Sequence, residues 1–287
     1  PTLAFNVTSE DPAKRAVFGD VRFRRAMSVA LDRKQINEVA FYGQGMPLQY
    51  TGFSPMPDFM PGDLEQAYAQ YDASLAKSLL DEVGMSDTDG DGFRELPNGD
   101  KLVLNLQFAT QGAPGELAQL VAQNWSDVGV QTTVKEVTPD EYRSAQSSNK
   151  LDVLIWRKGQ PLALHLGDNT YWVPPFDGYF DIRTGMLWAE YIESGGSAGV
   201  EPPAWVNEMI SDINAFQSSP TGSSEQNALA IKMAQKMVDE MLFIGTVRAL
   251  APLVHNNDLK NMTQFKTTSY EYYLSLIHIS EPTRPNN

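Results

Sequence analysis

The sequence predicts an α/β lobe with a largely open sheet. Three observations carry this. Between residues 101 and 156, strand-like and helix-like segments alternate in the order strand–helix–strand–helix–strand. Hydrophobic residues make up 42% of 287 residues, enough to bury a sizeable core. The chain also lacks cysteine, so it must hold itself together without disulfides or thiolate-bound zinc.

The elements follow in order. Residues 2–8, TLAFNVT, suggest a short strand. Asp20 is placed to cap the next helix, whose Phe23, Ala26, Met27, Ala30 and Leu31 recur at helical spacing. Arg22, Arg24, Arg25, Arg33 and Lys34 lie close together here and read as a solvated face. Asp32 with Gln35 forms a second cap, for a helix with Ile36, Val39 and Ala40 on one side, ending near Gly43. Residues 44–62 hold four prolines and read as an irregular arm that covers a surface or lines a groove.

Residues 71–84 give a helix with Asp72 as cap, a stripe of Leu75, Ala76, Leu79, Leu80 and Val83, and Gly84 as left-handed terminator. Leu102, Leu104, Leu106 and Phe108 alternate on one face of a strand over 101–110. A helix from about Gly115 carries Leu117, Leu120, Val121, Trp125 and Val128, and stops at Gly129. VQTTVKEV (130–137) is the next strand. Thr138, Pro139 and Glu141 then supply a cap, a first-turn proline and a box partner. LDVLIW (151–156) is the last strand of the alternating run. The stretch that follows is rich in proline and aromatics. Helices are predicted near 204–217 and 224–242, the second with Ala228, Ile231, Ala234, Gln235, Val238 and Leu242. Residues 242–256 then give a strand, a proline break and a second apolar run.

Charge and motifs narrow the function. The formal net charge of -14, from 22 basic and 36 acidic residues, repels nucleic acid. There is no phosphate loop or H-E-x-x-H, and no acid/base pair stands out among the many carboxylates. His165 and His255 show no metal-ligand spacing. DTDGDGFRELPN (87–98) begins like a calcium hand: Asp87, Asp89, Asp91 and Gly92 match loop positions 1, 3, 5 and 6. Position 12 is Asn98, and a strand follows where a hand needs a helix. Two readings stay open: an Asp/Gly turn, or a structural calcium held by Asp87, Asp89 and Asp91 with help from Glu95.

Ligands of open α/β sheets meet the loops at strand carboxyl ends. That singles out Trp156 and Arg157 at the exit of the last strand, and Tyr171 and Trp172 in the following loop. A tryptophan there can stack on a sugar ring or pack over a peptide side chain, and an arginine can hold a carboxylate.

The motifs GDVRFRRAMSVALDRKQINEVAFYGQG and YDASLAKSLLDEVGMSDTDGDGFRELPNGDKLVLNL resemble the extracellular solute-binding proteins of the oligopeptide/dipeptide importer family, family 5. So do LAQLVAQNWSDVGVQTTVKEVTPDEYRS with LDVLIW, and IGTVRALAPLVHNNDLKNM. The resemblance spans about residues 1–273. It implies a class II periplasmic-binding-protein-like fold. Residues 1–245 would be most of the second ligand-binding lobe, with an aromatic-rich excursion. Residues 246–273 would begin the segment returning to the first lobe. The implied role is to capture a peptide or oligosaccharide-like small-molecule solute between two lobes and deliver it to the transmembrane subunits of an ABC permease. Such a protein works as a monomer outside the cytoplasm, periplasmic or extracellular, with or without a lipid anchor, and needs no cofactor. A ligand-sensing receptor, an enzyme or a peptide chaperone on the same scaffold are the alternatives.

In peptide-binding members an aspartate shortly after the LDVLIW-like strand pairs with the peptide amino group. Here Arg157 and Lys158 come first and the first acid is Asp168. Residues 274–284, LSLIHISEPTR, match one reading frame of a transposase adapter, so 274–287 is expected to be a non-native tail on a chain truncated at both ends.

Overall fold

The computed structural model describes residues 1–157, 162–166 and 184–249. Tyr171, Trp172, Asp168 and the 274–287 tail lie outside the described residues. Two antiparallel pairings build the central sheet. Strand β1 (Thr2–Phe5) lies between β5 (Val153–Trp156) and β6 (Ile244–Gly245), with Leu3 opposite Ile155 and Ile244. A parallel pair, β3 (Leu104–Phe108) and β4 (Thr132–Glu136), is joined by crossover helix α5 (Gly115–Asp127). β2 (Met46–Pro47) pairs antiparallel with β7 (Val247–Arg248). The alternating run is therefore present, but one sheet of it is antiparallel.

Most helix boundaries follow from their caps. Asp20 accepts the Arg22 amide at the start of α2 (Val21–Val29), and Asp32 accepts the Gln35 amide at the start of α3 (Arg33–Phe41). Asp72 opens α4 (Ala73–Val83), and Gly84 closes it at φ 87°. Thr138 and Glu141 complete a reciprocal capping box at α6 (Pro139–Ser147). Two helices were absent from the sequence reading: α1 (Pro12–Gly19), capped by Asp11, and α7 (Met186–Glu193). Helices α8 (Ala204–Ser218) and α9 (Ser224–Asp239) complete the described set.

The core surrounds β1. Phe5 meets Phe18, Phe23 and Trp125 at ring-centroid distances of 5.0–5.4 Å, and Trp125 donates its indole N–H to the Met27 carbonyl. All four residues of the predicted β3 face are buried. A second cluster packs α8 and α9 under the proline-rich arm through Tyr50, Phe53 and Met60. Its α9 stripe is Ala230, Met233, Ala234, Met237 and Val238, while Ala228 and Gln235 face solvent. Met237 packs its side-chain end against Gly52 of the arm. Val39 also faces out, 48% exposed, because α3 turns Ile36 inward instead.

The basic face of α2 and α3 needs the largest correction. Arg22 and Lys34 are exposed, but Arg24 and Arg33 are 3% and 2% exposed. Arg24 donates to the carbonyls of Phe18 and Glu240, and Arg25 to that of Asp239. Arg33 donates to the carbonyls of Gly245, Ser28 and Ala69 and to the Ser28 hydroxyl. Burial pulls its pKa down to about 9, which still leaves it charged at neutral pH. These arginines are internal ties that donate to carbonyls at helix ends and on β6.

Candidate functional site

The site is built where β1 begins and β5 and β6 end. Thr2 lies opposite both Trp156 and Gly245, so the carboxyl ends of two strands meet at one edge. Beside that edge is a polar cleft lined by Thr2, Gln49, Thr51, Glu65, Thr246 and Arg248, among others. The arm supplies the Gln49–Ser54 wall, as its reading as a groove lining requires. Arg248 on β7 pairs with Glu65, which closes one side of the cleft with a partly buried ion pair. Gln49 is 3% exposed and fully used: its carbonyl accepts the amides of Gly245 and Tyr50, and its amide nitrogen donates to the Ser28 hydroxyl and the Ala67 carbonyl.

The sequence-predicted residues divide. Arg157 stands exposed at the end of β5, free to meet an anionic or hydroxyl-rich solute. Trp156 is only 8% exposed. Its indole lies 5.2 Å from the Tyr142 ring and covers Gly112, where an added Cβ would come within 2.2 Å of it. Tyr142 in turn accepts the Ile155 amide and donates to the Ile155 carbonyl through its hydroxyl. Trp156 thus packs inside the lobe against Tyr142 and Gly112, and Arg157 follows it at the surface. The residues that sequence reasoning missed are Gln49, Glu65, Thr246 and Arg248. They come from segments about 200 positions apart, and no periodicity links them.

The acidic loop lies elsewhere, between α4 and β3. Asp87 accepts the amides of Gly90 and Gly92, Asp89 that of Asp91, and Asp91 that of Phe93. Glu95 is buried and accepts the amide and hydroxyl of Thr88. Oxygens of Asp87, Asp89, Asp91 and Glu95 lie within 4.8 Å of one another, a donor set suited to a hard cation. The Lys101 ammonium stands 2.7 Å from both Asp89 and Asp91. That hydrogen bond, followed by the one from the Phe93 amide, holds the Asp91 carboxyl below its ordinary range.

Residues 2–171 match the model of the bacterial extracellular solute-binding proteins, family 5, middle region. The chain belongs to this family. Family 5 proteins are binding proteins that act outside the cytoplasm. Among curated relatives, the chain is 25% identical over 259 residues to a periplasmic alpha-galactoside-binding protein of Rhizobium meliloti (strain 1021), covering 87% of this chain and 35% of that protein. It is 29% identical over 126 residues to the oligopeptide-binding protein AppA of Bacillus subtilis (strain 168), covering 43% of this chain and 23% of that protein. The chain thus spans about a third or less of the curated relatives it matches. Among solved structures, the oligopeptide-binding protein OppA superimposes with a TM-score of 0.74 at 24% identity, covering 86% of this chain and 40% of that one. MelB of Agrobacterium fabrum, solved with stachyose, gives 0.65 at 19% identity, covering 86% and 37%. These likenesses show the fold of family 5 receptors. No described helix is long and apolar enough to cross a membrane.

Proposed function

We propose that the chain is most of one lobe of a two-lobe extracytoplasmic receptor, which captures an oligosaccharide or peptide solute and passes it to an ABC permease. The observation that carries this is the family 5 match over residues 2–171, on a fold whose strand ends converge at a polar cleft. Capture works by lobe closure: contacts made to both lobes favour the closed state over the open one. The protein binds without chemistry, acts as a monomer, and delivers its solute to the permease's transmembrane subunits. Residues from 246 onward begin the return to the companion lobe.

An oligosaccharide is the preferred solute. The alpha-galactoside-binding relative aligns over 87% of the chain, twice the share of the peptide-binding relative at 43%. The test is a thermal shift of the full-length gene product with stachyose or a nonapeptide. A bound ligand at 100 times its Kd stabilises by about 2.7 kcal/mol, several degrees for a protein of this size. Stachyose is expected to raise Tm and the nonapeptide to leave it unchanged. The reverse pattern establishes the peptide reading, and no shift with either removes both solute classes. Arg157→Ala is expected to weaken stachyose binding about tenfold, the value of one charged hydrogen bond, with Tm unchanged. Calorimetry checks this, and equal affinity would take Arg157 out of the site.

The acidic loop is proposed to work as a turn that needs no metal, since Lys101 already supplies the cation its carboxylates face. Chelation with EDTA is therefore expected to leave the melting curve unmoved. A fall in Tm on chelation, restored by calcium, would instead give Asp87, Asp89 and Asp91 a structural ion.

A further inference from the structure

Gly245 is held from both sides. Its amide donates to the buried Gln49 carbonyl oxygen, and its own carbonyl accepts from Arg33 Nε at 2.9 Å. Arg33 Nη2 and Gln49 Nε2 both donate to the Ser28 hydroxyl, at 2.8 and 3.0 Å. The four residues therefore close a ring of hydrogen bonds. The Ser28 hydroxyl in turn donates a hydrogen bond to the Tyr68 carbonyl. There is no room for a side chain at Gly245: an added Cβ would lie 2.4 Å from the Tyr50 nitrogen and 2.5 Å from the Leu48 carbonyl oxygen. Immediately before it, Arg24 and Arg25 tie down the carbonyls of Glu240 and Asp239. Immediately after it, the Thr246 carbonyl accepts the Leu48 amide, and β7 pairs with β2.

We infer that the Gln49–Ser28–Arg33 ring is an anchor that fixes residues 239–248 to this lobe, so that lobe closure bends the chain outside them. Burial makes the ring effective. Gln49, Ser28 and Arg33 are all 3% exposed or less, so the bonds they make lie in a low-dielectric setting where each is strengthened. A segment tied at Asp239, Glu240 and again from Ile244 to Arg248, with no room for a side chain at Gly245, resists the φ/ψ changes that a hinge requires. Gln49 and Arg33 are positioning residues in this scheme. The inference rests on the two-lobe reading for its motion, but not for the anchor itself.

Amide exchange on the full-length gene product, without ligand, tests the anchor. The Gly245 amide is expected to exchange within tenfold of Leu106 in β3. In Gln49→Leu it should exchange at least tenfold faster, together with Tyr50, while Leu106 stays within twofold. Arg33→Lys, which keeps the charge and loses the fork, serves if Gln49→Leu does not fold. A wild-type Gly245 amide as fast as in the variant overturns the anchor. The positioning role is read separately. These 287 residues have no cysteine, so one label can be placed at Glu116→Cys and the other at a single cysteine in the companion lobe, with any other cysteine there replaced by serine. Gln49→Leu should at least double the width of the interlobe distance distribution, whereas Leu106→Ala, a core control, should not. Equal widths in both variants overturn the positioning role. Failure of the two-lobe reading looks different: the full-length protein then has no second folded lobe, and Gly245 protection is untouched.

Discussion

Arg33→Met is expected to cost the lobe about 2–4 kcal/mol of stability, the largest effect of any change among its charged residues. Two terms oppose each other. Methionine removes the desolvation penalty of a guanidinium that is 2% exposed, a gain of a few kcal/mol. It also strips donors from the carbonyls of Gly245, Ser28 and Ala69. Each buried acceptor left without a donor costs about 1–3 kcal/mol, and thioether sulfur gives nothing back. The Ser28 carbonyl keeps the Leu31 amide, so the cost falls mainly on the Gly245 carbonyl and on the Ser28 hydroxyl, which loses one of its two donors, and this second term is expected to win. No carboxylate takes part, so the loss should be insensitive to salt, unlike that of a surface pair. The measurement is a urea titration of the full-length protein beside Lys34→Ala. That neighbour is exposed and should move stability by no more than about 0.5 kcal/mol. If Arg33→Met matched the parent, the desolvation term would be the larger and the carbonyls would be finding other donors.

The same residue shows where sequence reasoning succeeds. Caps and periodicity are local signals, and they placed α2 to α6 and β3 to β5 within a few residues. Asp72 with Gly84, and Thr138 with Glu141, are each satisfied by atoms within a dozen positions. Burial of Arg33 is not local. It depends on Gly245, 212 positions on, and the sequence there offers only an ordinary glycine in an apolar run. A run of arginines on one helix is normally solvated, so the pattern pointed the wrong way. The α9 stripe was legible in part: Ala234, Val238 and Leu242 are buried and Ile231 packs against them, while Ala228 and Gln235 face out and Met233 and Met237 take their place in the core. Helix α1 was legible in principle, through Asp11 followed by Pro12. The cleft was not, because its walls come from the arm, β1 and β6–β7, and only the fold brings them together.

Trp156→Ala is expected to lower stability by about 3–5 kcal/mol, the range for deleting a buried aromatic side chain. The indole is 8% exposed, packs at a tilt against Tyr142 and covers the bare backbone of Gly112, so truncation leaves a hole beside both. Collapse into that hole is restricted. The Tyr142 hydroxyl is bonded to both the amide and the carbonyl of Ile155, which fixes the ring beside the vacated space. A residue that served mainly as a ligand platform would behave in the opposite way, losing affinity with stability intact. Urea titration and stachyose calorimetry on the same full-length variant therefore separate the two roles. The expected result is a large stability loss, with weakened binding that follows from a displaced Arg157. A Trp156→Ala protein as stable as its parent would place the indole in the ligand's path instead. Gly112→Ala probes the same contact from the other side, since its new Cβ lands on the indole and must displace it. Agreement between the two variants would assign the β5 exit its role: a packed tryptophan that holds an exposed arginine at the edge of the cleft.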